Sequence, residues 1–128
     1  MAGHMVISTV RIVPSAKRHS EVLEILRSIL GLTESQPGCL SCHLYVEDGP
    51  DQGTVFCEHW ETEAALQEHI RSDSYRRILA ACELSKRSPE VCFHHVSKTQ
   101  GMDLVQKLRG REEGSLHGGL AGSNQAII

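Results

Sequence analysis

Apolar positions along the chain recur with a period of two in some stretches and near 3.6 in others, and the switches mark the elements. Residues 6–13 (VISTVRIV) are rich in β-branched side chains and run into Pro14, which has no N–H for a sheet ladder, so this stretch reads as a strand. The period then changes. Val22, Ile25, Leu26, Ile29 and Leu30 fall at i, i+3, i+4, i+7 and i+8, which predicts an amphipathic helix with Lys17, Arg18, Glu21, Glu24 and Arg27 outward and Gly31 as its stop. Residues 39–47 (CLSCHLYVE) alternate again, with Leu40, Cys42, Leu44 and Val46 on one face and Ser41, His43, Tyr45 and Glu47 on the other. The turn-forming residues 48–53 join them to residues 54–60 (TVFCEHW) as a hairpin. Thr62 can cap a helix that places Leu66, His69 and Ile70 on one side. Ser72-Asp73-Ser74 breaks and recaps it, and Tyr75, Ile78, Leu79 and Cys82 continue an apolar stripe to about Leu84. Beyond Pro89, residues 90–98 (EVCFHHVSK) make a fourth strand.

The predicted order β-α-β-β-α-β is the split βαβ, or ferredoxin-like, motif of the α+β class: a four-stranded antiparallel sheet with helices on one face. The other face needs a cover, and roughly 100 residues leave none to spare. A homodimer through the sheet faces is the economical solution, because a twofold axis presents the same patch to itself. Residues 5–98 are read as this domain and residues 1–4 as a cloning remnant before a start at Met5. Residues 99–128 are read as a glycine-rich tail or dimer arm. From Gly101 onward lie six of the 11 glycines, with Leu104, Val105 and Leu108 enough for one short helical turn.

Charge narrows the function classes. The 128 residues hold 13 Lys plus Arg against 16 Asp plus Glu, a net −3, and no basic run exceeds two residues, so neither a nucleic-acid footprint nor a polybasic membrane patch is present. No stretch approaches the roughly 20 apolar residues of a membrane span, and the start MAGHM is no signal peptide. Five cysteines without a secretion signal read as reduced thiols in a cytoplasmic protein. Cys39, Cys42 and His43 have zinc-like spacing, and Cys57, His59, Cys92, His94 and His95 are further soft ligands. In a regular strand, however, residues 39 and 42 face opposite ways, so no metal site is expected.

All five aromatic residues (Tyr45, Phe56, Trp60, Tyr75 and Phe93) lie between positions 45 and 93. Within that span, Phe56-Cys-Glu58-His-Trp60 closes a strand. A helix with Ala65-Leu66-Gln-Glu-His69 follows, and then Ser74-Tyr75. This run resembles the antibiotic biosynthesis monooxygenase family of dimeric α/β barrels, as does Pro37-Gly38-Cys39 leading into a strand with Tyr45; the resemblance covers about residues 5–98. It implies an oxidoreductase that uses neither flavin nor metal and oxidises a small aromatic phenol or quinol with O₂. Such chemistry asks a protein for a base, for donors to developing negative charge and for a dry pocket. Trp60 and His69 are the catalytic candidates that the resemblance implies; His43, Tyr45, Phe56 and Glu58 are the candidates for lining the substrate pocket. Glu58 shares the Phe56 and Trp60 face, so its carboxylate must find either an ion-pair partner or a role as a pocket base. Phe56 stands where some cofactor-free oxygenases of the family have Asn, and the absence of Asn from residues 6–13 argues against haem degradation. The alternative to an enzyme is a non-catalytic small-molecule binding or sensing dimer of the same fold.

Overall fold

The computed structural model describes residues 4–113 of the chain. Of the stretch read as a cloning remnant only His4 is described, and the part of the tail beyond residue 113 lies outside the described residues. The order is β1 (Met5–Ile12), a 3₁₀ turn (Ala16–Arg18), α1 (His19–Glu34), β2 (Cys39–Val46), β3 (Thr54–Trp60), α2 (Glu63–Ile70), α3 (Asp73–Cys82), β4 (Glu90–Val96) and α4 (Met102–Glu113). The four strands form one antiparallel sheet in the order β2-β3-β1-β4, so the ferredoxin-like arrangement is the one the alternating periods predict.

Strand alternation decides which side chains meet the helices. Val6, Ser8, Val10 and Ile12 of β1 and Thr54, Phe56, Glu58 and Trp60 of β3 are buried on one face. The larger core joins Val10, Ile12, Cys42 and Phe56 of the sheet to Val22, Leu26 and Ile29 of α1 and to Tyr75, Ile78, Ala81 and Cys82 of α3. A smaller cluster of Val6, Trp60 and Leu66, edged by Cys39 and Ala65, lies at the other end of the same face.

Within the unit that ends at Val96, no helix packs on the opposite face. Its rows across β2, β3, β1 and β4 read Ser41, His59, Ile7, His94, then His43, Cys57, Thr9, Cys92, then Tyr45, Val55, Arg11, Glu90. Arg11 grips Glu47 through two bonds of 2.7 and 2.8 Å there and holds its carboxylate below the usual range, chiefly by that hydrogen bonding.

Several elements depart from the sequence-based expectations. Gly31 does not stop α1, which runs on to Glu34 and buries Thr33; a glycine inside a helix costs only about 1 kcal/mol and so does not by itself end one. Ile70 and Leu79 point outward, away from the stripes assigned to them, since α2 buries only Leu66 and His69 and α3 breaks the stripe between them. In β2 an extra residue, Leu40, bulges between the pairs Cys39–Trp60 and Ser41–His59. The bulge turns Cys39 onto the helix-facing side with Cys42, where the regular alternation would have set them apart.

The chain divides into two units after Val96. The second contains α4, three turns where the sequence suggests one, with Asp103 in its first turn against the positive end of the helix dipole. Among the described residues no helix is long and apolar enough to cross a membrane.

Candidate active site

The smaller cluster is where the chemistry gathers. Glu58 and Trp60, two residues apart on β3, necessarily share a face, and that face meets α2. Thr62 starts α2, its hydroxyl accepting from the N–H of Ala65 at 3.1 Å, which fixes the helix phase and brings His69 inward one turn after Leu66. Ser72 then locks the position. Its hydroxyl donates to the carbonyl of His69 at 2.6 Å and accepts from the N–H of Tyr75 at 3.3 Å, so one side chain ends α2 and caps α3.

Four side chains form a closed polar chain. The Trp60 indole N–H donates to Glu58 Oε1 at 3.0 Å, Glu58 Oε2 meets His69 Nε2 at 2.8 Å, and His69 Nδ1 meets Gln36 Oε1 at 2.6 Å. The His69 ring stacks on Trp60 with centroids 4.7 Å apart and receives the edge of Tyr75 at 5.3 Å. Glu58 and His69 are 1% exposed and Trp60 is fully buried. Among the described ion pairs, Glu58 has His69 as its one cationic partner, with no Lys or Arg.

Proton counting follows from these contacts. A carbonyl oxygen only accepts, so the hydrogen between His69 and Gln36 belongs to Nδ1. One further proton lies between Nε2 and Oε2, giving either an imidazolium beside a carboxylate or two neutral groups. The cluster is electrically neutral in both, which suits a buried position. Tyr75 is pushed up to about 12, first by burial and then by Glu58, and Cys39 to about 11 for the same two reasons. Cys42 is raised as well, by burial and then by Glu58, so these thiols remain protonated. Among the described residues no three His, Cys, Asp or Glu side chains are placed to hold a metal ion.

Beside the cluster lies an open depression of about 610 Å³, lined by the small or apolar Pro37, Gly38, Ala64 and Ala65 and by the polar Gln36, Glu68, His69, Arg71 and Ser72. Its shape depends on Gly38. That residue sits at φ +87°, and a Cβ there would overlap the Cβ of Ala65, so the loop before β2 lies hard against α2.

Of the six candidate residues, the structure brings together Glu58, Trp60 and His69. Phe56 is fully buried in the larger core between the sheet and α1 and α3, away from the depression. His43 and Tyr45 lie on the helix-free face, stacked on each other at 5.9 Å, as the alternation of β2 already requires. Gln36 is the participant that sequence reasoning missed. It lies in an aperiodic connection, and the adjacent Pro37-Gly38 signals a turn but not the close approach that aims the preceding side chain at His69.

A small ferredoxin-like domain with a buried acid–base chain opening on one shallow cavity is the class that fold and site define. The family model described as antibiotic biosynthesis monooxygenase matches residues 5–81, and the chain belongs to that family. Its fold is similar to that of Rv0793 from Mycobacterium tuberculosis, at 24% identity over 76% of this chain and 99% of that one, with a TM-score of 0.68. It is also similar to a conserved protein from Methanosarcina mazei Go1, at 20% identity over 72% and 92% of the two chains and a TM-score of 0.66. In sequence it is 23% identical over 97 residues to the uncharacterised protein sll1783 of Synechocystis, and spans 65% of the length of that curated relative.

Proposed function

We propose that the protein is a cofactor-independent monooxygenase acting on a small aromatic phenol or quinol. The observation that carries this reading is the His69 Nδ1–H, held in place from behind by Glu58 and bonded to Gln36, with His69 and Gln36 both lining the depression. A hydrogen bond from that N–H stabilises a phenolate oxygen as charge develops. The phenol proton leaves to solvent through the open side of the depression. The electron-rich ring then passes an electron to O₂, the radical pair closes to a ring peroxide, and loss of water leaves a quinone. One oxygen atom stays in the product, the other departs in water, and the substrate supplies all the electrons. Trp60 orients the Glu58 carboxylate and stacks under the imidazole, so its part is positioning.

The assembly belongs to the same reading. A second copy covers the helix-free sheet face, where Ile7 and Val55 are half-buried and Tyr45 is 53% exposed in a single chain. Light scattering then gives twice the 14.1 kDa chain mass, and a monomer at micromolar concentration ends this part of the proposal. Five unpaired thiols suit a reducing, cytoplasmic setting.

The test of activity is oxygen uptake with a panel of hydroquinones and anthrones. Turnover is expected in the wild type, with a loss of about 100-fold in His69→Ala and a smaller loss in Trp60→Phe, which keeps the ring but not the N–H. No uptake across the panel, or variants as active as the wild type, sinks the assignment. Saturable binding without uptake returns the protein to the class of non-catalytic binders.

A further inference from the structure

His69 presents a contradiction to any ligand in the depression. It belongs to the lining, yet its side chain is 0% exposed and its outward nitrogen is already occupied by Gln36 Oε1 at 2.6 Å. The two parts of Gln36 are held very differently. Its backbone is fixed from both sides: its N–H donates to the Thr33 carbonyl at 3.1 Å, and its carbonyl accepts from the Cys39 N–H at 3.0 Å. The loop is pinned further by Gly38, whose carbonyl accepts from the Glu61 N–H at 2.7 Å. The side chain is half-buried, and the hydrogen bond to His69 is the one it is shown to make. A fixed backbone with a side chain tied at one point is the arrangement of a plug that swings on its own torsions without moving the loop.

The chemistry of the tie says what replaces it. An amide carbonyl oxygen accepting from an N–H stands where an anionic ligand oxygen would accept from the same N–H, and a phenolate oxygen is the stronger acceptor. We infer that Gln36 is a displaceable plug whose Oε1 marks the position of the ligand oxygen, so that ligands enter by exchanging an acceptor oxygen for the Gln36 amide. The inference rests on the phenol-binding reading of the depression and extends it. It makes Gln36 the residue that sets selectivity: rings bearing a free hydroxyl gain the bond, while rings with a masked oxygen cannot displace the plug. The small and apolar lining residues Pro37, Gly38, Ala64 and Ala65 suit the ring that carries that oxygen.

Two probes and two variants test this. 1-Naphthol offers the oxygen, and 1-methoxynaphthalene has the same ring with the oxygen masked by a methyl group. Gln36→Ala removes the competitor, so 1-naphthol binds about tenfold tighter while the ether changes little. Gln36→Glu substitutes an acceptor that does not leave, and 1-naphthol binds more weakly than to the wild type. Independently of binding, diethyl pyrocarbonate labels His69 faster in Gln36→Ala, as mapped by peptide mass spectrometry, with matched circular dichroism melts showing that the fold is intact. Equal 1-naphthol affinity in all three proteins, or a His69 as inert in Gln36→Ala as in the wild type, overturns the plug. Faster labelling with no 1-naphthol binding to any of the three leaves the plug standing and overturns the phenol reading.

Discussion

The domain contains two glutamate–histidine contacts of nearly equal length and opposite character. Glu58 meets His69 at 2.8 Å with side chains 1% and 0% exposed; Glu63 meets His95 at 2.6 Å with both about half exposed. At the first, both side chains are buried and their polar atoms need partners in the protein, which Trp60 and Gln36 supply. At the second, solvent competes for each bond, and His95 and Gln67 merely hold the Glu63 carboxyl below its usual range. Distance alone would rank the exposed contact first. Burial, by removing water as the alternative partner, makes the longer contact the one on which the structure depends.

The largest effect comes from breaking the buried pair on one side. Glu58→Ala leaves the Trp60 N–H and His69 Nε2 unpaired in the core, and urea unfolding should show a loss of about 3 kcal/mol. Glu58→Gln separates stability from chemistry. Its carbonyl still accepts from Trp60 and its amide donates to Nε2, so the urea midpoint stays within about 1 kcal/mol of the wild type. The carboxyl group that shares a proton with His69 is gone, however, and oxygenation should fall about 100-fold. The smallest effect belongs to the exposed pair: Glu63→Gln leaves activity and the neutral-pH midpoint unchanged within error. A carboxylate with a lowered folded-state pKa contributes stability above its unfolded value, which is lost as pH falls through the folded one. Any difference in midpoint between Glu63→Gln and wild type therefore closes as pH drops below 4.5. A large neutral-pH cost for Glu63→Gln would erase the contrast between the two pairs.

Much of this was legible in the residues because periodicity encodes faces. The alternation of residues 54–60 put Glu58 beside Trp60, and the 62–70 pattern set His69 on the side of Leu66, while the choice of Trp60 and His69 as catalytic candidates came from the family resemblance. The same alternation placed His43 and Tyr45 on the opposite face, and it outweighs their chemical suitability as lining residues. What spacing does not encode is where an irregular segment meets a regular one. Gln36 acts through the fit of Gly38 against Ala65, and Cys39 faces inward because of the surplus residue Leu40; both are contacts between segments with no period in common. Gly31 shows the converse failure, a local stop signal that the helix runs past as far as Glu34.

Trp60 is the only tryptophan in the chain, and it lies against the His69 ring. The intrinsic emission of this protein is therefore the emission of its site. Excitation near 295 nm addresses one indole in contact with one imidazole, and a change in the occupancy or charge of that ring is read as a change in brightness, without a label and without turnover.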